Sequence, residues 1–467
     1  MVNRKVRELL PSRRELLRYG GFGLLGASVG SMAPLKVQAA PGSSGQARGQ
    51  ARNVIFVEIS GAISHIDTFD FKENIATQKD FDVRKTSTGI YLPHALFPRF
   101  EKVMDRIALV RTMKSHEEVH LRGEYYLQAG RPLNVAFAKE IPSVGSVVAS
   151  ELESRRSESD TFPTYVSFNL EQNQLGAMST GFFPPQYSVF DMNPEMATRG
   201  MSLDQKAVEL LEQRWRLLTQ LRDSQRQRMK SYGKTVGAFE DFSETGKKLL
   251  TDSRWPASFN VTDEDRKRYG NTDFGLSCAF SRNLLQQDGG TRYIHLCHYG
   301  WDHHKHIWDR SNKDNHYNLI NEFDPAAASL IEDLAATQSK HHPNKTLLDE
   351  TLVVLMSEFG RTVGALNHMA GRDHHNFVFP AMFAGAGVQG GLVIGETDAK
   401  GEFCKDPGWR FKDQPHIENV VSTIYSALGI DAGKRLTNTP SGRTYTYVDA
   451  LAANGIIPTN EIAEIYG

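Results

Sequence analysis

Two short stretches of this chain concentrate residues able to hold a metal. Gly300-Trp301-Asp302-His303-His304-Lys305-His306 is one, and Gly371-Arg372-Asp373-His374-His375 is the other. Of sixteen histidines, His295, His298, His303, His304 and His306 fall close together in the first region. An imidazole nitrogen beside a carboxylate oxygen is the commonest donor pairing for Zn²⁺ and other divalent ions. Asp302 with His304 or His306 offers one such pair from a single turn. Asp373 with His374 offers another, and Glu358 adds a carboxylate. The chemistry this points to is binding of a divalent metal ion: zinc, calcium or magnesium.

Both stretches follow apolar runs. Thr351–Met356 (TLVVLM) is a strand buried on both faces, after which the chain turns polar at Ser357-Glu358-Phe359-Gly360-Arg361. Thr291–Cys297 is the strand ahead of Asp302. Val54–Ile59 is the first strand, with Ser60 to Asp70 as the loop at its end, and Ile107–Val110 is the second. After the second strand comes Lys114-Ser115-His116-Glu117-Glu118-Val119-His120. Ser115 with Glu118 makes a capping box there. A serine at a helix N-terminus is also where a nucleophile or anion-binding group sits, so Ser115 is a candidate for either role. Thr164–Phe168, Ala381–Ala384 and Leu392–Ile394 are further strands. They alternate with helices over Asp273–Gln287, Phe323–Leu334 and His416–Leu428. The pattern predicts an α/β fold with a largely parallel sheet covered on both faces. Charged groups past the carboxyl ends of its strands lie where open α/β sheets bind ligands. Val208, Leu211, Trp215 and Leu218 predict one buried face on a long charged helix within a helical insertion around residues 200–270. Asn169 to Met196 has no period and reads as a packed surface excursion, with a substrate lid as the alternative.

The chain of 467 residues has 54 basic and 55 acidic groups and a formal charge of −1, so no bulk field points to nucleic acid. Its three cysteines form neither a disulfide framework nor a metal motif. Residues 1–39 combine Arg13-Arg14, a short Gly-rich apolar segment and a small-residue site at Val37-Gln38-Ala39. They resemble a twin-arginine signal, which implies the twin-arginine export machinery as a partner and a periplasmic or secreted protein. The segment is too short and too interrupted for a membrane span, so none is expected after processing. Residues 40–52 read as a flexible linker and 53–467 as a single domain.

The run SGAISHIDTFDFK after the first strand resembles the opening of a large bacterial family, the domain-of-unknown-function family 1501. Tyr269-Gly270, Trp301-Asp302, Glu358-Phe359-Gly360-Arg361, Gly371-Arg372-Asp373-His374 and Gly395-Glu396-Thr397-Asp398 follow in that family's order. The family looks like a distant, sulfatase-like branch of the alkaline phosphatase superfamily. The resemblance implies a three-layer α/β/α sandwich, alkaline phosphatase-like, with metal at the strand ends. It implies His65, Asp67, Asp302, His304, Glu358, Asp373 and His374 as ligands or close neighbours of the ion. Arg361 and Arg372 would hold an anionic ester, sulfate or phosphate, such as that of a polysaccharide. Phe359 stands where the superfamily has a histidine ligand. Cys278-Ala279-Phe280-Ser281-Arg282 resembles the stretch that sulfatases convert to formylglycine, but Phe280 breaks the pattern and the segment reads as helix. The rival function is a non-catalytic binding or scaffold protein that keeps this fold.

Overall fold

The computed structural model describes residues 37–38, 47–170, 179–198, 205–229, 245–452, 455–456 and 459–467. The signal segment lies outside them apart from Val37 and Gln38. Eight strands form the main sheet: β1 (Asn53–Ile59), β2 (Ile107–Met113), β3 (Tyr165–Phe168), β4 (Phe190–Met192), β5 (Tyr293–His298), β6 (Thr351–Met356), β7 (Phe379–Ala384) and β8 (Val393–Ile394). Their order is β8-β2-β7-β6-β1-β5-β3-β4. Only β7 runs antiparallel to its neighbours, β2 and β6. The other pairings are parallel.

Every residue of β1, β5, β6 and β7 is buried, which explains why apolar residues dominate these strands, with Glu58 of β1 and His295 and His298 of β5 buried among them. Alternate side chains enter two separate cores. Ile55, Val57 and Ile59 of β1 join the first, while Val54 and Phe56 join the second. Five helices matter to the site and its support: α1 (His120–Ala129), α2 (Val144–Leu152), α3 (Asp273–Gln287), α4 (His316–Ala336) and α5 (Ile417–Ala427). Phe280 and Leu284 of α3 and Ile320 and Phe323 of α4 fill the first core. Val147 of α2 and Val420 and Ile424 of α5 fill the second. The Ser143, Thr272 and Asn315 side chains cap α2, α3 and α4 by accepting from backbone N–H groups. The architecture is the expected three-layer α/β/α sandwich.

Three local expectations change. Ser115 caps no helix: α1 begins at His120, with Val119 at its N-cap and no side-chain cap. The Ser115 N–H is instead held by the Asn376 carbonyl at 3.0 Å, which keeps the segment extended. The helix Gln205–Met229 buries none of its predicted face: Val208, Leu211 and Trp215 are half-buried, Leu218 is exposed, and neither core takes them up. The end of the linker segment is tied down, since Gly49 and Ala51 donate to Ser426 and Ala427 and Arg52 donates to Glu350. The aperiodic excursion packs as read in its described part, supplying β4 and burying Phe182 and Phe183 in the second core. Among the described residues no helix is long and apolar enough to cross a membrane.

Candidate metal centre

Parallel pairing of β1 with β5 and β6 brings three loops out side by side at the carboxyl edge of the sheet. The first and second are in very close contact. Gly61 has φ +103°, and a Cβ there would stand 2.4 Å from the Asp302 backbone nitrogen. Glycine alone permits this approach, and the approach sets where Asp302 emerges. The third loop folds back through a two-residue ladder that pairs Arg361 with His374. From the other side, α1 lies so close that a Cβ on Gly123 would be 2.9 Å from Glu358 Cβ. That contact brings in His120, at the first position of α1.

Four side chains meet: His120, Asp302, His304 and His374, with one donor atom of each within 4.8 Å of all the others. His120 Nε2 is 2.9 Å from Asp302 Oδ1 and His304 Nε2 is 3.1 Å from the same oxygen. His374 Nε2 lies 2.9 Å from His304 Nε2 and 3.7 Å from Asp302 Oδ1. Each imidazole turns its other nitrogen outward. His120 Nδ1 meets Glu358 Oε1 at 2.6 Å, His304 Nδ1 meets Asp373 Oδ1 at 2.8 Å, and His374 Nδ1 meets the Glu118 carbonyl. Carboxylates and carbonyls accept hydrogen bonds, so each Nδ1 carries a proton, and an Nε2 that also donates to Asp302, as that of His120 does, becomes a ligand only by giving up its own proton to an incoming ion. The Asp302 side chain is 47% exposed and that of His304 35%, so the centre opens to solvent.

The electrostatics follow from this arrangement. Burial disfavours a charged His120, but hydrogen bonds to Asp302 and Glu358 and their charges outweigh it and raise His120 to about 9. Burial also works against an ionised Asp302, yet hydrogen bonds from His120, His374 and Arg361 hold it far below the usual carboxylate range. Arg361 Nη2 donates to Asp302 Oδ1 at 2.6 Å. Phe359, at the place where the resemblance calls for a histidine, is fully buried with the His120 and His374 rings each 4.9 Å from its own. It packs against two of the three imidazoles of the cluster.

The ten residues singled out from the sequence thus separate. Asp302, His304 and His374 are in the cluster. Glu358 and Asp373 stand one step behind it, as acceptors that orient His120 and His304. His65 and Asp67 are outside it, contrary to the resemblance. His65 Nε2 donates to the Gly401 carbonyl at 2.8 Å, and burial pushes the ring down to about 3, with that carbonyl opposing the shift. Asp67 is clamped by Arg372 Nε at 2.7 Å and Nη2 at 3.2 Å and by Ser64 Oγ at 2.6 Å. Arg372 is fully buried, and its Nη1 is engaged by the carbonyls of Thr362 and Gly364. Arg361 is equally buried and also donates to the carbonyls of Ala62, Arg372 and Gly61. The two arginines therefore hold loops together, and neither is free to clamp an anion. The buried Ser115 hydroxyl turns back on its own loop and accepts from the Glu117 N–H at 3.2 Å. Cys278 is buried in α3, where burial raises its thiol pKa well above the usual range. The residue missed in the sequence is His120, which closes the same post-strand stretch that was read for its serine.

Several solved structures are similar in outline. One is a protein in the alkaline phosphatase superfamily from Vibrio parahaemolyticus, 11% identical with a TM-score of 0.39, covering 85% of this chain and 69% of that one. Another is the lipoteichoic acid synthase LtaP from Listeria monocytogenes, 10% identical with a TM-score of 0.40, covering 85% and 76%. A third is the C-terminal periplasmic domain of EcEptC from Escherichia coli in complex with Zn, 10% identical with a TM-score of 0.34, covering 93% and 98%. No curated protein matches the chain. A family model described as protein of unknown function (DUF1501) matches residues 51–456, and the chain belongs to that family.

Proposed function

We propose that this protein is an exported, metal-dependent hydrolase of phosphate or sulfate esters, working through an ion held by His120, Asp302, His304 and His374. The observation that carries the metal is the convergence of three Nε2 atoms on one carboxylate oxygen, each imidazole being fixed from behind. Three nitrogens and one oxygen suit zinc, whereas calcium and magnesium favour all-oxygen shells. A tetrahedral zinc with bonds of about 2.0–2.1 Å needs ligand atoms roughly 3.3 Å apart. Four of the six separations, 2.9, 3.1, 2.9 and 3.7 Å, bracket that value, and all six lie within 4.8 Å. Four protein ligands fill a tetrahedral shell, so an ester oxygen or a water would reach zinc, to be polarised or acidified, only as a fifth ligand from the solvent-exposed side of Asp302 and His304. The chain's part is to hold Asp302 ionised through Arg361, and to keep His120 and His304 oriented through Glu358 and Asp373. The ester class rests on the ordered motifs shared with the sulfatase-like resemblance, and export on the Arg13-Arg14 segment.

One observation favours the scaffold reading. Asp302 is already neutralised by Arg361 and His120, so the cluster is electrically balanced with protons alone. Metal analysis of the purified protein separates the two readings. One zinc per chain, with hydrolysis of an aryl phosphate or sulfate abolished by His304→Ala, is the expected result. Substoichiometric metal that Asp302→Ala does not change leaves the scaffold reading standing.

A further inference from the structure

Two of the family motifs play no part in the metal centre. The DTFDFK run ends in Asp70 and Lys72, and Gly395-Glu396-Thr397 lies far along the chain. They converge beside a cavity of about 210 Å³. Lys72 Nζ is 3.3 Å and Arg111 Nη1 3.2 Å from the same Asp70 oxygen, and Thr397 Oγ1 donates to the other. Arg111 is braced by the Gly395 carbonyl, which accepts from Nε at 3.1 Å and from Nη2 at 2.7 Å. Thr88 and Tyr91, from the hairpin that pairs residues 83–85 with 91–93, and Val393 of β8 complete the walls.

Two cations share one carboxylate here, which leaves one positive charge in surplus. Glu396 feels the charges of both Arg111 and Lys72, but its carboxylate pairs with Lys405 at 2.7 Å, so that pair adds no net charge to the count. Lys72 makes one ion pair with an ammonium that has three donors. Asp70 is 2% exposed, and the Lys72 and Arg111 side chains are 19% and 18% exposed, so the surplus charge faces a concave, partly desolvated space. A charge in such a setting attracts a counter-ion more strongly than it would on an open surface. The cavity is smaller than the ~300–1,000 Å³ of drug-sized pockets, which limits the occupant to a small group. The Tyr91 ring, 56% exposed at the rim, offers a face for the body that carries that group.

We infer that this cavity is a second ligand site, separate from the metal centre, which takes one oxyanion (a sulfate, phosphate or carboxylate) between Lys72 and Arg111. The inference does not depend on metal binding or on hydrolysis.

The test is calorimetric titration of the full chain carrying His304→Ala and His374→Ala, which keeps added anions away from the metal centre. Sodium sulfate, inorganic phosphate and glucuronate are the probes. One-to-one saturable binding is expected for at least one of them. Lys72→Met weakens it at least about tenfold, as loss of a charge-assisted hydrogen bond should. Lys72→Arg restores it, and Arg111→Lys weakens it as an independent check. Circular dichroism of each variant shows whether it is folded. If Tyr91→Ala weakens glucuronate alone, the site takes an anion carried on a sugar ring. If Tyr91→Ala affects none of the probes, the site takes free ions. Absence of saturable binding by all three anions, or binding indifferent to Lys72→Met, overturns the inference.

Discussion

Removing the charge of Glu358 while keeping its shape isolates the role of the residues behind the metal centre. Glu358 Oε1 accepts from His120 Nδ1 at 2.6 Å and from the Gly61 N–H at 2.9 Å. It thereby holds the His120 ring and joins the loops after β1 and β6. Loss of such an outer acceptor costs about 10- to 100-fold in metal affinity. Glu358→Gln should therefore weaken zinc binding by about 1.4–2.7 kcal/mol. Deleting a ligand costs more. Structural zinc sites bind with roughly 10–16 kcal/mol, so one of four ligands carries about 2.5–4 kcal/mol on average. His120→Ala should lower affinity by a few hundredfold on that basis. His65→Gln is the control, since His65 lies outside the cluster and bonds to Gly401. Competition against a chromophoric chelator gives each Kd. The reasoning fails if Glu358→Gln stays within twofold of the natural chain, or if His65→Gln weakens zinc as much as His120→Ala does.

Arg372→Met leaves the fully buried Asp67 carboxylate without its bidentate partner. It should cost about 3–5 kcal/mol in urea unfolding, and a loss below 1 kcal/mol would show that the clamp is not structural. Gly61→Ala must place a Cβ 2.4 Å from the Asp302 nitrogen at φ +103°. Backbone strain alone is worth about 1–3 kcal/mol, and zinc stoichiometry below that of the natural chain is expected because Asp302 must shift. Burial first, and the Glu358 charge second, raise Glu58 from its ordinary 4.5 to about 8, against the opposing Gln128 hydrogen bond. Burial keeps its partner His295, 2.7 Å away, neutral, so the pair is a neutral hydrogen bond at pH 7. A folded pKa raised above the unfolded one favours the protonated form. Its contribution to stability is thus full below pH 4.5 and is lost as pH rises through about 8. Glu58→Gln should flatten the fall in denaturant midpoint between pH 5 and 8.5 by an amount equivalent to a few kcal/mol. An unchanged slope would contradict the assignment.

The strands were readable because burial on both faces leaves a predominantly apolar run, as Leu352–Met356 shows and as Val54–Ile59 shows apart from the buried Glu58. The helix Gln205–Met229 misled for the opposite reason, because its apolar period is real but among the described residues neither core takes up Val208, Leu211, Trp215 or Leu218. At the site, Asp302, His304 and His374 could be picked out because carboxylate and imidazole recur directly behind strands. His120 could not be joined to them by spacing, since only the third dimension brings the start of α1 against the loops after β5 and β6. Asp67 and Arg372 were both marked as functional, and the fold instead uses each to neutralise the other. A buried ion pair and a metal ligand look alike in one dimension. Both carboxylates here meet an arginine of the chain, and they differ in that Asp67 is sealed off with its cation while Asp302 stays 47% exposed among imidazoles.

The single antiparallel strand has a consequence for how this site can change. Met356 at the end of β6 is the register partner of Ala381 in β7, so residues 357–378 leave the sheet and return to it at adjacent positions. That segment closes on itself through the Gly360–Arg361 and His374–His375 ladder and carries Glu358, Asp373 and His374. It is therefore a cassette whose two ends are fixed by neighbouring strands. Within its outer turn, residues 363–370, the Gly364 carbonyl holds Arg372 and the Asn367 side chain holds Asp373 and the His304 carbonyl, so the exposed Ala365 and His368 are the positions that can change while His374 stays in place. Divergence among related chains should then concentrate in that turn, altering what enters the centre and leaving unchanged what holds the ion.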